Sequence, residues 1–237
     1  MKMLREYIRQ VITESVDEQD LAASVKDYLG GKKVIIYDSF LFRTGLTRGS
    51  GRLSDIPQHE MTSRLEELAE RDVIKGYLQV GPPPTTVGTM NQIDTGECYG
   101  SWMVYKSAGP GMGKYVYGLG YALSPSGLLI PDRETVSPTA REGWKKQAAK
   151  RGKKPLDDIT LPVHSRRTPN DPHDDCSPQD EDALNYAYEG GPDDERLLRL
   201  LTAEHGRMMS ALGPAEEQVE YWLDSQGSKF FWGNMFL

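Results

Sequence analysis

Apolar residues recur at helical spacing near both ends of the chain and gather into short runs through its middle. At the N terminus, Leu4, Ile8, Val11 and Ile12 share one face of a helix over residues 1–15, with Arg5, Glu6, Arg9 and Gln10 opposite. Leu21, Val25 and Leu29 continue that spacing, so the pattern predicts a second short helix, capped by Asp20 and ended by Gly30 and Gly31. From Lys33 the period changes. Val34, Ile35, Ile36 and Tyr37 read as a buried strand, residues 57–71 as a helix carrying Met61, Leu65 and Leu68, and residues 72–80 as a strand stopped by Pro82, Pro83 and Pro84.

Beyond a hairpin or loop at 85–95, residues 98–107 alternate as a strand and end in the glycine-rich turn Ala108 to Gly113. A helix is expected over 114–123 despite Gly118 and Gly120. Each glycine costs about 1 kcal/mol there relative to alanine, so something must pack closely against them. Residues 127–130 form a short buried strand, and Ser137-Pro138 opens a helix that Gly152 ends. Strands are expected at 159–164 and 184–188, then helices at 195–212 and 214–224, with an aromatic tail from Phe230 to Phe236. This order predicts an α/β (mixed α+β) protein whose central mixed sheet carries helices on both faces. It divides into a helical arm at 1–31, an α/β core at 32–190 and a helical extension at 191–237.

Composition narrows the picture. The 237 residues have a mean hydropathy of -0.57, polar for a globular chain, yet four Trp and twelve Tyr argue for a packed core. No stretch approaches the roughly 18 apolar residues of a membrane span, so no membrane association is expected. Cys98 and Cys176 are too few and too distant for a disulfide scaffold and fit a reducing compartment.

The net charge of -7 conceals a local +6 over residues 141–167 and a local -10 over 171–195. The plain reading is a solvated basic helix followed by an acidic loop. The sharper readings are that the basic stretch meets an anionic ligand, or that the two stretches meet each other. One basic island in an acidic chain is a weak footprint for nucleic acid, and no specific nucleic-acid binding is expected. The single spacing His173-x-x-Cys176 falls short of a zinc signature, so no metal is expected. Asp132 and Arg133 read as a surface ion pair at a turn.

The glycine turn carries the main candidate chemistry. A strand, a turn with little side-chain bulk and a helix N-terminus together present backbone N–H groups to a phosphate. Lys106-Ser107-Ala108-Gly109-Pro110-Gly111 approximates Q/R-x-x-G-x-G/A, and so resembles the pyrophosphate signature of the GNAT acetyltransferase superfamily. Element order over 98–151 follows the core of that superfamily, and SPTAREGWKKQAAKRG looks like its last core helix. More narrowly, YGLGYALSPSGLLIPDRETVSPTAREGW resembles GNAT-like proteins of tailed bacteriophages.

The resemblance implies a three-layer GNAT-like fold and acetyl-CoA as cofactor, held by Lys106, Ala108, Gly109, Gly111, Met112, Gly113 and Lys114. It also implies a sheet that splays open beside the turn. Acetyl transfer to an amine needs a base and an acid. Glu97 is the candidate base, and Tyr105 and Tyr117 are the candidate acids, because the helix from Ser137 lacks the tyrosine that the superfamily usually places there. Lys106 departs from the usual Arg or Gln, and Pro110 removes one N–H donor from the turn. The alternative is a virion or packaged structural protein that keeps the fold without the chemistry. The amphipathic N-terminal segment resembles leaders of proteins packaged into phage heads, with Ile12-Thr13-Glu14 fitting a processing site. That implies partners among virion proteins and a location in the host cytoplasm or the virion.

Overall fold

The computed structural model describes residues 18–49, 51–82, 101–132, 136–156 and 182–234. Among them, seven strands form one mixed sheet in the order β1-β2-β3-β4-β5-β7-β6. The strands are β1 (Leu21–Tyr28), β2 (Gly31–Asp38), β3 (Ile74–Gly81), β4 (Trp102–Ala108), β5 (Leu128–Ile130), β6 (Lys153–Pro155) and β7 (Tyr186–Glu189). Helices α1 (Ser39–Leu46) and α2 (Gln58–Ala69) connect β2 to β3, α3 (Gly113–Leu123) connects β4 to β5, and α4 (Pro138–Lys150) follows β5. Helices α5 (Pro192–Leu212) and α6 (Glu216–Asn234) close the chain. All pairs are antiparallel except β4 with β5. This is the mixed α/β architecture expected from the pattern.

Buried side chains collect on both sheet faces. On one, Ile35, Tyr37 and Tyr77 meet Phe42 and Leu46 of α1, Leu65 and Leu68 of α2, and Trp222, Leu223 and Phe231 of α6. On the other, Ile36, Leu78, Val80 and Val104 meet Val116 and Leu119 of α3, Trp144 of α4 and Leu197 of α5. The first half of α5 supplies Leu197 and Leu201 to this second cluster, and its last turns supply Met208, Met209 and Leu212 to the first. The helix therefore wraps the β1 edge and shields a strand that would otherwise offer free ladder groups. The two helical glycines have the close neighbours their cost required. A Cβ at Gly120 would lie 2.7 Å from Leu129 Cδ1, and one at Gly118 would lie 3.0 Å from Asp194 Oδ1.

The helix expected over 20–29 is instead strand β1. Leu21, Ala22, Ala23 and Ser24 are all buried, because consecutive residues face the two different clusters. Leu29 and Gly30 both have positive φ, +48° and +79°, and close a two-residue hairpin that pairs Tyr28 with Gly31. Helix α1, capped by Asp38 accepting from the Leu41 amide at 2.8 Å, and strand β6 have no counterpart in the sequence reading. Helix α6 continues to Asn234, past the expected end at 224. The elements expected at 1–15, 85–95 and 159–164 lie outside the described residues.

Candidate active site at the opening between β4 and β5

The single parallel pair among the described strands is also a very short one. β4 meets β5 at Trp102–Leu129 and Met103–Ile130. β5 then ends at Pro131, while β4 runs on through Ala108. The stretch from Val104 to Ala108 stays paired with β3 on one side, and no strand among the described residues pairs with its other side.

Within that stretch Val104 pairs with Val80 and Lys106 with Gln79, leaving Tyr105 as the extra residue of a bulge. The bulge resets which way the following side chains point. Val104 packs with α3, but Lys106 is turned to the opposite face, its Nζ 5.2 Å from the Phe231 ring and 5.1 Å from the Trp232 ring. Ser107 returns to the α3 side and meets the Tyr117 hydroxyl, and Ala108 packs with the α6 cluster.

At the end of β4 the chain turns through Gly109 and Gly111, with φ of +148° and +75°. Only glycine takes these angles without strain, and Gly109 is further confined. A Cβ there would lie 3.0 Å from the Lys75 carbonyl oxygen and 3.3 Å from Gly76 Cα. The Met112 amide closes onto the Gly109 carbonyl at 2.9 Å, and the Tyr115 and Val116 amides close onto the Met112 carbonyl, also at 2.9 Å. The amides of Gly113 and Lys114 precede these first bonds of α3 and carry the positive end of its dipole. Lys114 Nζ bonds Glu18 at 2.9 Å, a contact that raises the lysine pKa.

The candidate acids sit in different surroundings. Tyr105 is partly exposed, and its hydroxyl donates to the Pro82 carbonyl. Burial, with a smaller contribution from Asp132, raises its pKa. Tyr117 is enclosed at 6% exposure, edge-on to Trp144 at 5.1 Å, and burial raises its pKa against the lowering effect of the Ser107 hydrogen bond. The two hydroxyls share no partner. Glu97 lies outside the described residues, as do Arg133, His173 and both cysteines. Of the seven residues expected to hold a cofactor, Ala108, Gly109, Gly111, Met112 and Gly113 form the turn. Lys106 leaves it for α6, and Lys114 leans toward Glu18.

No family model, curated protein or solved structure matches this chain. The described residues hold no group of three or more His, Cys, Asp or Glu that could bind a metal ion. No described helix is long and apolar enough to cross a membrane.

Two polar clusters lie away from the opening, and the first has no counterpart in the sequence reading. Tyr37, His205 and Glu220 form a chain, with Tyr37 Oη 2.9 Å from His205 Nδ1 and His205 Nε2 2.7 Å from Glu220 Oε1. A neutral imidazole protonated on Nε2 satisfies both, donating to Glu220 and accepting from Tyr37. Lys26 completes the cluster, 2.6 Å from Glu220. Burial pushes the Glu220 carboxyl up, but hydrogen bonds from His205 and Lys26 outweigh it and hold the pKa at about 2. No sequence spacing could have found this group, since its members lie on β1, β2, α5 and α6.

In the second cluster Arg151 makes a two-pronged contact to Asp194 at 2.5 and 2.9 Å, and Asp194 also accepts from the Gly191 amide at 2.8 Å. Lys154 lies 3.4 Å from Glu189. At these two pairs the basic stretch and the acidic stretch meet each other. A cleft of about 290 Å³ beside them is lined by Glu18, Lys114, Arg151, Asp194 and Arg196. Its opposite charges are largely matched within its own walls.

Proposed function

We propose that this chain is a GNAT-like protein that binds acetyl-CoA at the β4–β5 opening and transfers the acetyl group to an amine. The observation that carries the reading is the coincidence of three features at one place. These are the parallel strand pair whose ladder ends at Met103 and Ile130, the positive-φ glycine turn at the end of β4, and the α3 amides just beyond it. Bound acetyl-CoA would supply an activated thioester acyl group. The amides of Gly113 and Lys114 would hold its pyrophosphate, with the α3 dipole favouring the negative charge. The edge of β4 that no described strand pairs with would offer backbone groups for the amide-bearing arm, as a strand edge does for any extended partner.

Tyr105 is the acid best placed to reach a substrate. Its hydroxyl, like any phenol, is protonated at neutral pH, and it is the more exposed of the two candidates. Tyr117 positions Ser107 on β4. The sequence resemblance supports reading it as a tailed-phage protein that acts in the host cytoplasm or is carried in the virion.

A second reading, a non-catalytic virion protein that retains the fold, draws on the enclosure of Tyr117 and on the Glu18 contact that occupies Lys114. Calorimetric titration of the full chain with acetyl-CoA separates the two. The enzyme reading expects saturable binding and a rise in Tm with ligand concentration. No heat and no shift at millimolar acetyl-CoA would remove it.

A further inference from the structure

Among the described residues, every buried or half-buried lysine but one is paired with a carboxylate. Lys26, Lys32, Lys33 and Lys75 contact Glu220, Asp27, Asp224 and Asp72 respectively. Lys106 is also partly buried, yet among the described residues it faces two aromatic rings and no carboxylate. It owes that position to the bulge at Tyr105, which turns it away from the α3 face. Bulges of this kind re-aim side chains beside functional sites. Phe231 is 8% exposed and fixed against Tyr77 at 5.4 Å, whereas Trp232 is 53% exposed and leaves ring surface to solvent. A cation held over rings is attracted by them, but its charge is not neutralised.

We propose that Lys106 and Trp232 form a subsite for the carboxylate of an aromatic amine. The carboxylate would pair with Nζ, and the apolar body of the molecule would lie on the Trp232 ring. A single lysine balances one negative charge, which suits a carboxylate better than a dianionic phosphate. Lys106 lies on β4 next to Tyr105 with its side chain on the α6 face, so this molecule would approach the proposed transfer site from the face opposite α3. As an acceptor subsite, the assignment rests on that reading.

The test compares L-phenylalanine with L-phenylalaninamide, which differ in the carboxylate. Binding is followed by tryptophan fluorescence in the full chain, with Trp232→Phe identifying the Trp232 signal. N-acetylation of each from acetyl-CoA is followed alongside. Wild type should bind the acid about tenfold or more tightly than the amide, the size of one charge-assisted contact. Lys106→Gln should erase the difference and Lys106→Arg should keep it. Equal binding of the two probes, binding of neither, or a preference that survives Lys106→Gln would overturn the subsite. A lysine serving only the C-terminal dipole of α6 gives the first of these results. The two readings fail separately. Acetyl-CoA binding without a carboxylate preference leaves the transferase reading and removes the subsite, while a preference without acetyl-CoA binding removes the transferase reading and with it the acceptor role.

Discussion

The two sides of the β4–β5 junction are built differently. β1, β2 and β3 are eight residues each, pair antiparallel along most of their length, and are covered by helices on both faces. β5, β6 and β7 are three or four residues long, and one of their faces gathers the small cluster of Met103, Leu128, Ile130, Leu156 and Ala187. The long side holds its register through long ladders, whereas the short side has short ladders backed by its small cluster, the Trp144–Tyr188 stack and the Arg151–Asp194 pair. A binding opening at such a junction has one rigid wall and one that can adjust.

The contrast is broken most severely at Asp194. Asp194→Ala strands Arg151 and strips the cap from α5, so a loss of about 3 kcal/mol is expected in urea unfolding. Native-state hydrogen exchange should show β5 and β7 opening before β2 and β3. The same opening order in reverse would show that the short side is not the weaker one.

Glu220→Gln probes the long side, with an expected loss of about 2 kcal/mol at pH 7. The folded pKa of Glu220 lies below its ordinary value, so its contribution is complete above about pH 4.5 and is lost as pH falls toward 2. The stability curve of the variant should be flatter than wild type across that window. An unchanged acid limb would contradict the Tyr37–His205–Glu220 account.

At the junction itself, Gly109→Ala forces a positive φ and a contact with the Lys75 carbonyl. It should destabilise by about 1–2 kcal/mol and abolish acetyl-CoA binding. Retained binding would detach the cofactor from the turn. The smallest expected effect on stability is Lys106→Gln, about 0.5 kcal/mol from the lost ring contacts, read as a Tm shift of a few degrees at most.

The sequence made some of this visible and hid the rest for physical reasons. Helix α4 was legible because its start is local, with Ser137 accepting from the Ala140 amide at 3.2 Å and Pro138 following. The order of β4, glycine turn, α3 and β5 was legible as strand, turn, helix and strand, while the parallel pairing of the two strands appears only in the structure. β1 misled because Leu21, Val25 and Leu29 mimic a helical face, and because its hairpin places Leu29 where Asn or Asp would be the usual signal. The bulge at Tyr105 has no compositional mark. It arises from pairing with β3, and it moves Lys106 from the expected pyrophosphate site to Phe231 and Trp232 on α6. The glycine turn was legible as a backbone feature. The side chains around it depend on helices far away in the chain.

Hydrogen exchange of the full chain with and without acetyl-CoA tests the central claim most directly. The account predicts protection concentrated at the amides of residues 104–114, with the β1–β2 hairpin unchanged. Protection absent from 104–114, or confined to the cleft lined by Arg151 and Arg196, would contradict it.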